Sequence, residues 1–203
     1  MISHWKQVSI QAVLAAWFTD NGGGSAPGAS EKPEARLPAD QYRAAIEPFL
    51  LFLRFLPHCD WYRIRLNDVE DLMALQLIHE ESWLPPQNGA KRVLGHCCRD
   101  DCVPAEHEEK ARALAERADV RSLLDGRMIL FGHAPDEPLS ILDGNHRALA
   151  YARNLVRKPQ AWSPVEAYVG ISLGPCRWHG DAVSWIERPP REAGERRYVL
   201  NIW

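Results

Sequence analysis

The sequence predicts an α+β fold, in which a small mixed sheet packs against helices and further helices precede it at the N-terminus. Short segments with alternating apolar and polar residues, typical of strands, are interspersed with longer segments of helical spacing. With 203 residues, of which 46% are hydrophobic, the chain is long enough to form one sizeable core. We therefore expect one main domain.

Residues 1–57 are predicted to form a helical extension of that domain. An amphipathic helix explains the apolar spacing near the N-terminus better than the alternative, a signal peptide. Residues 21–36 are rich in Gly, Pro, Ser and charge, which indicates a flexible linker, and a second, largely buried helix is predicted after Asp40. The apolar positions of the first helix are Ile10, Val13, Leu14 and Trp17.

Residues 58–203 are predicted to form the main domain, including a C-terminal tail. A helix or turn is expected to follow the first strand, from residue 67. A long helix is expected at residues 104–126, where acids occupy the first turn and Gly126 can cap the end. Strands are predicted at residues 61–66, 127–132, 139–144 and 164–172, and a further helix at residues 145–155.

Composition and charge argue against nucleic-acid and membrane partners and indicate a cellular compartment. The net charge of −3 provides no global basic field, which argues against nucleic acid. No run of 18 apolar residues predicts a membrane span. The five cysteines are an odd number in a chain too long to need disulfides for stability, so we expect a reducing compartment, the cytoplasm.

The segment "GHCCRDDCVPAEH" offers a candidate zinc site. Its cysteines and histidines are close enough in sequence to supply three or four ligands, although the spacing is not the paired Cys-x-x-Cys form. The alternative is a set of buried free cysteines, which are common in proteins. The candidate ligands are His96, Cys97, Cys98, Cys102 and His107.

The stretch "ILDGNHRALAYA" is the strongest functional signal, because it joins a predicted strand directly to a predicted helix. The N–H groups at such a helix start attract anions. Gly144 would let the backbone approach a phosphate, Arg147 supplies a permanent charge, and Asn145 can cap or donate. His146 can donate or relay a proton, whereas Asp143 is expected to hold a metal, a hydroxyl or the turn. The alternative is a motif that only turns the chain and caps the helix.

This motif, together with the order of strands and helices over residues 61–173, resembles the ParB/sulfiredoxin-like superfamily. Members of that superfamily place a Gly-x-His-Arg or Gly-Glu-Arg-Arg stretch at a helix start to hold nucleotide phosphates. Asn145 stands where sulfiredoxin has its reactive cysteine, and too few residues follow the last strand for the helix-turn-helix of partitioning ParB proteins. The free-serine kinase branch, with Asp-Gly-His-His-Arg and an earlier His-Glu pair, is the most similar.

The resemblance implies a phosphotransferase that moves phosphate from ATP or ADP, with Mg²⁺, to a small hydroxyl acceptor such as serine. Glu80, next to His79, would be the general base, with Glu81 as its competitor. Asp143 would position Mg²⁺ or the acceptor. The residues implied to hold the phosphate are Gly144, Asn145, His146 and Arg147.

Three other functions stay open. The chain could be a non-catalytic nucleotide- or partner-binding module that has the phosphate cradle without the base. It could be a ParB-like nuclease, an activity often attached to the superfamily by name. The motif is also similar to the Gly-Asn-Gly-Arg of Fic-type nucleotide transferases, but the His-Pro-Phe of those enzymes is missing here.

Overall fold

A computed structural model describes residues 2–20, 59–78, 93–99, 103–117 and 120–171, which form a mixed α+β structure. The strands are β1 (Ser3–Gln7), β2 (Asp60–Leu66), β3 (Met128–Gly132), β4 (Ser140–Asp143) and β5 (Val165–Ile171). The helices are α1 (Ile10–Asp20), α2 (Val69–Met73), α3 (Leu94–Cys97), α4 (Ala105–Ala115), α5 (Val120–Leu124) and α6 (Asn145–Arg157), followed by a 3₁₀ turn at Pro159–Ala161. None of the helices in these ranges has the length and apolar character that a membrane span requires.

The described strands form one sheet in the order β1-β2-β5-β3-β4. The central strand β5 is antiparallel to β2 and parallel to β3, and β3 forms an antiparallel pair with β4. Every residue of β3 is buried, which matches its continuous apolar sequence. Gly170 lies opposite Trp61, and a side chain there would meet the indole ring at 2.8 Å, so this glycine makes room for the tryptophan.

Helix α6 is the most deeply buried helix in the part of the chain described. Seven of its residues are buried, Asn145, Ala148, Leu149, Ala150, Tyr151, Ala152 and Leu155. Its neighbour α4 runs beside it in the same direction, because His107 contacts His146 near the start of both helices and Asn154 donates to the Ala115 carbonyl near their ends. The first turns of the two helices therefore lie at the same end of the structure.

The predicted mixed α+β class is confirmed, and the strands and the motif helix lie within two residues of the predicted bounds. The helix predicted at residues 10–17 is present as α1. The prediction of one long helix at residues 104–126 was wrong, since α4 ends at Ala115 and α5 begins at Val120. Gly126 follows α5 with a φ of +69°, as its predicted capping role requires.

The prediction of a purely helical N-terminal extension missed β1, which pairs with β2 at the edge of the sheet. The segment Ser3–Gln7 has no clean alternation, and three of its five residues are exposed, so its strand conformation comes from pairing with β2. The linker at residues 21–36, the helix predicted after Asp40 and the C-terminal tail from residue 172 lie outside the described residues.

Candidate functional site

The turn between β4 and α6 contains the predicted motif. Gly144 is the N-cap of α6 and has a left-handed φ of +99°, a conformation that residues with a Cβ rarely adopt. A Cβ on Gly144 would also lie 3.4 Å from the Arg147 guanidinium and 3.6 Å from Met128. Because a glycine N-cap has no side chain to bond the first turn of the helix, α6 begins without a side-chain cap.

Asp143 and Arg147 form an ion pair across this turn, with 3.1 Å between Oδ2 and Nη2. Burial raises the pKa of Asp143 to about 6, while the Gly144 N–H and the nearby guanidinium favour the charged carboxylate. Burial lowers the pKa of Arg147 to about 10, so its side chain stays cationic at neutral pH. The Arg147 Nη1 also donates to the Leu123 carbonyl at 3.4 Å, which ties the motif to α5.

Asn145 is a buried connection between three parts of the fold. Its Oδ1 accepts a hydrogen bond from the Ile78 N–H at 2.9 Å, and its Nδ2 donates to the Ile141 carbonyl at 3.1 Å. The residue is only 6% exposed. Its amide therefore fastens the segment that ends at Ile78 to β4 and to the start of α6.

That segment also runs along the outer edge of β4. Gln76 forms a parallel bridge with Ser140, its N–H donating to the Leu139 carbonyl and its carbonyl accepting from the Ile141 N–H. The chain therefore reaches Ile78 directly beside the motif. Glu80 follows two residues later in the sequence, and it lies outside the described residues, as do His79 and Glu81.

His146 contacts a second histidine. Its Nε2 lies 2.9 Å from the Nδ1 of His107, which is buried in α4. The pKa of His146 is lowered to about 4, first by burial and then by the charges of His107 and Lys110, so its ring is neutral at pH 7. The Oε1 of Glu106 lies 3.7 Å from the other ring nitrogen of His107.

The described residues do not form a metal centre by themselves. No group of three His, Cys, Asp or Glu side chains within them is arranged to hold a metal ion. Cys97 and Cys98 are buried, His107 faces His146, and Cys102 lies outside the described residues. For Mg²⁺, the turn offers the single carboxylate of Asp143, already paired with a guanidinium, so any further protein ligand must come from elsewhere in the chain.

A separate open cleft of about 390 Å³ lies beside the later turns of α4 and α6. Glu108, one of its lining residues, forms a two-armed ion pair with Arg153, whose guanidinium holds the pKa of that carboxyl below its usual range. Both side chains are largely buried. The charged residues that line the cleft are Arg99, Glu108, Arg112, Glu116, Arg153 and Arg157.

The sequence interpretation missed the connection of Ile78 to Asn145 and the pairing of His107 with His146. The contact between Ile78 and Asn145 is made by a backbone N–H, which no residue pattern reveals. His107 carried a weak signal, since a histidine on the buried face of a predicted helix needs a polar partner. From the sequence alone, His107 is a candidate zinc ligand.

Comparisons of the chain with protein-family models, with curated proteins and with solved structures found no match in any of the three.

Proposed function

We propose that this chain is a nucleotide-binding protein of the ParB/sulfiredoxin-like type that transfers phosphate from ATP or ADP to a small hydroxyl acceptor such as serine. The observation that carries the proposal is the glycine turn between β4 and α6. It combines a left-handed Gly144, a helix start without a side-chain cap and a cationic Arg147 in the first turn. A helix start of this kind favours phosphate, because its N–H groups and the helix dipole both attract negative charge.

The arrangement around the motif suits an anion that is held by the backbone. Asn145 is hydrogen-bonded within the protein and Arg147 forms an ion pair with Asp143, and both contacts keep the turn rigid. Arg147 also places a positive charge close to the turn. Rigid positioning and charge neutralisation supply most of what phosphoryl transfer needs. Mg²⁺ would enter bound to the nucleotide, whose phosphate oxygens supply ligands that this cation prefers, and Asp143 is the residue proposed to face it.

Two residues support the transfer step in this proposal. Glu80 is the proposed base for the acceptor hydroxyl, and the chain that leads to it is fastened beside the motif at Ile78. His146 is neutral at pH 7 and lies in the first turn of α6, where it can contact a hydroxyl or pass on a proton.

Calorimetric titration with ATP and ADP in the presence of Mg²⁺ tests nucleotide binding. We expect the wild-type protein to bind and the Arg147→Ala variant to lose binding. Arg153→Ala is the matched control, because Arg153 lies on the same helix, is equally buried at 13% side-chain exposure and is also paired with a carboxylate. Nucleotide binding that is absent from folded wild-type protein, or lost equally in both variants, contradicts the proposal.

A second experiment tests transfer. Wild-type protein is incubated with ATP or ADP and serine, and phosphorylated serine is followed by ³¹P NMR. Glu80→Gln should abolish turnover and leave nucleotide affinity unchanged, whereas Glu81→Gln should retain turnover. If nucleotide binds and no hydroxyl acceptor is phosphorylated, the transfer step is wrong.

The second candidate function is a nucleotide-binding module without catalysis. It is favoured by the inward hydrogen bonds of Asn145, which show that part of the motif serves the fold. This candidate predicts that Arg147→Ala abolishes nucleotide binding and that Glu80→Gln changes nothing measurable.

A further inference from the structure

Four arginines and two glutamates line the cleft of about 390 Å³ beside the later turns of α4 and α6, hereafter the arginine cleft. The arginines are Arg99, Arg112, Arg153 and Arg157. The volume lies in the range of about 300–1,000 Å³ that is usual for small-molecule sites. Because the whole chain has a net charge of −3, this concentration of positive charge is a local feature.

Within the described part of the chain, only one of these arginines is fully paired. Arg153 has a side chain that is 13% exposed, and it donates from both Nη atoms to the two carboxylate oxygens of Glu108. Arg112, with a side chain 70% exposed, approaches the same carboxylate at 3.5 Å. Arg99 and Arg157 are exposed and have no acidic partner in the described ranges. Guanidinium groups that can bind an anion therefore remain in the cleft.

Like charges also lie next to each other on α6. Arg153 and Arg157 are four residues apart and line the same cleft, and like charges at this spacing destabilise a helix. The ends of α4 and α6 offset part of the charge, because a helix C-terminus has a partial negative charge of about one half. Four guanidinium groups against two carboxylates and two helix ends still leave the cleft positive. A bound anion would relieve this repulsion.

The surroundings of the cleft favour carboxylates over phosphate. Helices α4 and α6 end here, at Ala115 and Arg157, so the free backbone groups are carbonyls and not the N–H groups that hold phosphate at a helix start. Carbonyls repel a dianionic phosphate more than a singly charged carboxylate. A guanidinium fork also matches a planar carboxylate, as Arg153 and Glu108 show in this cleft. Val156 is 44% exposed there and offers apolar contact to a carbon skeleton.

We propose that the arginine cleft is a binding site for a small molecule with two or more carboxylates, which is held by Arg99, Arg112 and Arg157. The site is separate from the glycine turn, because Arg147 and Arg157 are ten residues apart on α6, about 15 Å along its axis. It does not rest on the proposed phosphotransferase function.

Citrate is the probe, titrated into the full chain at pH 7 and constant ionic strength and followed by ¹H–¹⁵N NMR. We expect saturable shifts at the amides of the cleft residues, with a dissociation constant of about 1 mM or tighter. Acetate should bind at least about tenfold more weakly, because its one carboxylate engages one guanidinium fork instead of several. Absence of saturable shifts at the cleft overturns the proposal, and pyrophosphate that binds more tightly than citrate overturns the choice of carboxylates.

Removal of one cleft arginine tests the site directly. Arg157→Ala should weaken citrate binding by about tenfold or more, since a hydrogen-bonded ion pair with the ligand is lost. Arg65→Ala is the matched control, because Arg65 is an exposed arginine on β2 that does not line the cleft, and the same charge is removed. Its affinity should stay within about twofold of wild type. Equal weakening in the two variants means that only net charge matters and overturns the site.

A charge change of the opposite sign gives a second test. Glu116→Gln removes a negative charge from the cleft lining and should strengthen citrate binding by about twofold or more. Glu109→Gln removes the same charge from α4 outside the lining and should leave the affinity unchanged. Both glutamates are exposed, so the variants should fold, and amide spectra verify this. Citrate binding that is unchanged or weaker in Glu116→Gln contradicts the proposal.

Discussion

Replacement of Asn145 by alanine tests the structural role of the motif. The substitution removes two hydrogen bonds, one from the Ile78 N–H and one to the Ile141 carbonyl. Each backbone group left without its partner in a buried site costs about 1–2 kcal/mol. We therefore expect Asn145→Ala to lower the free energy of unfolding by about 2–4 kcal/mol.

Urea unfolding measures this loss, and amide hydrogen exchange at Ile78 locates it. Asn154→Ala is the control, because Asn154 is on the same helix and makes a single 3.1 Å side-chain bond to a carbonyl, worth about 1 kcal/mol. Asn145→Asp should retain protection of the Ile78 amide, since it keeps the acceptor oxygen and loses only the donor. The reasoning is refuted if Asn145→Ala lowers the free energy of unfolding no more than Asn154→Ala does. It is also refuted if the Ile78 amide is as well protected from exchange in Asn145→Ala as in the wild-type protein.

Three further predictions follow from the same region. Gly144→Ala should lower the free energy of unfolding by about 1–2 kcal/mol, because alanine is strained at a φ of +99°; an unchanged urea midpoint would argue against this conformation. Asp143 and His146 should affect the pH dependence of stability in opposite directions. The pKa of His146 is lowered to about 4 in the folded protein. Its contribution to the free energy of unfolding is therefore complete above pH 6.5 and is lost as the pH falls towards 4. The pKa of Asp143 is raised to about 6. Its contribution to the free energy of unfolding is therefore complete below pH 3.8 and is lost as the pH rises towards 6. Urea unfolding from pH 4 to 7 should therefore show a weaker rise of stability with pH in His146→Gln and a stronger rise in Asp143→Asn; slopes equal to wild type contradict the assignment. Arg153→Ala should lower the free energy of unfolding by about 1.5–3 kcal/mol, because the largely buried Glu108 carboxylate then keeps only its 3.5 Å ion pair with Arg112. The control, Arg157→Ala, replaces an exposed arginine on the same helix and should lower the free energy of unfolding by less than about 0.5 kcal/mol. Equal losses in the two variants would contradict the stabilising role of the buried ion pair.

The sequence by itself determined most strands and the motif helix, because their signals are local. The apolar run of β3, the alternation of β2 and the glycine before α6 all appear within a few residues. The position of the motif at a strand–helix junction was predictable for the same reason. These features depend on side-chain periodicity and on the backbone freedom of glycine, which neighbouring residues alone reveal.

Tertiary structure decided the features that depend on distant parts of the chain. Strand β1 exists because β2 offers it a partner, and the predicted long helix at residues 104–126 divides into α4 and α5, which the helical spacing of its residues did not show. The partners of the motif also come from elsewhere, with Ile78 brought to Asn145 and His107 brought to His146. Pairings across 67 and 39 positions of sequence leave no periodic trace, and only packing brings such residues within hydrogen-bonding distance.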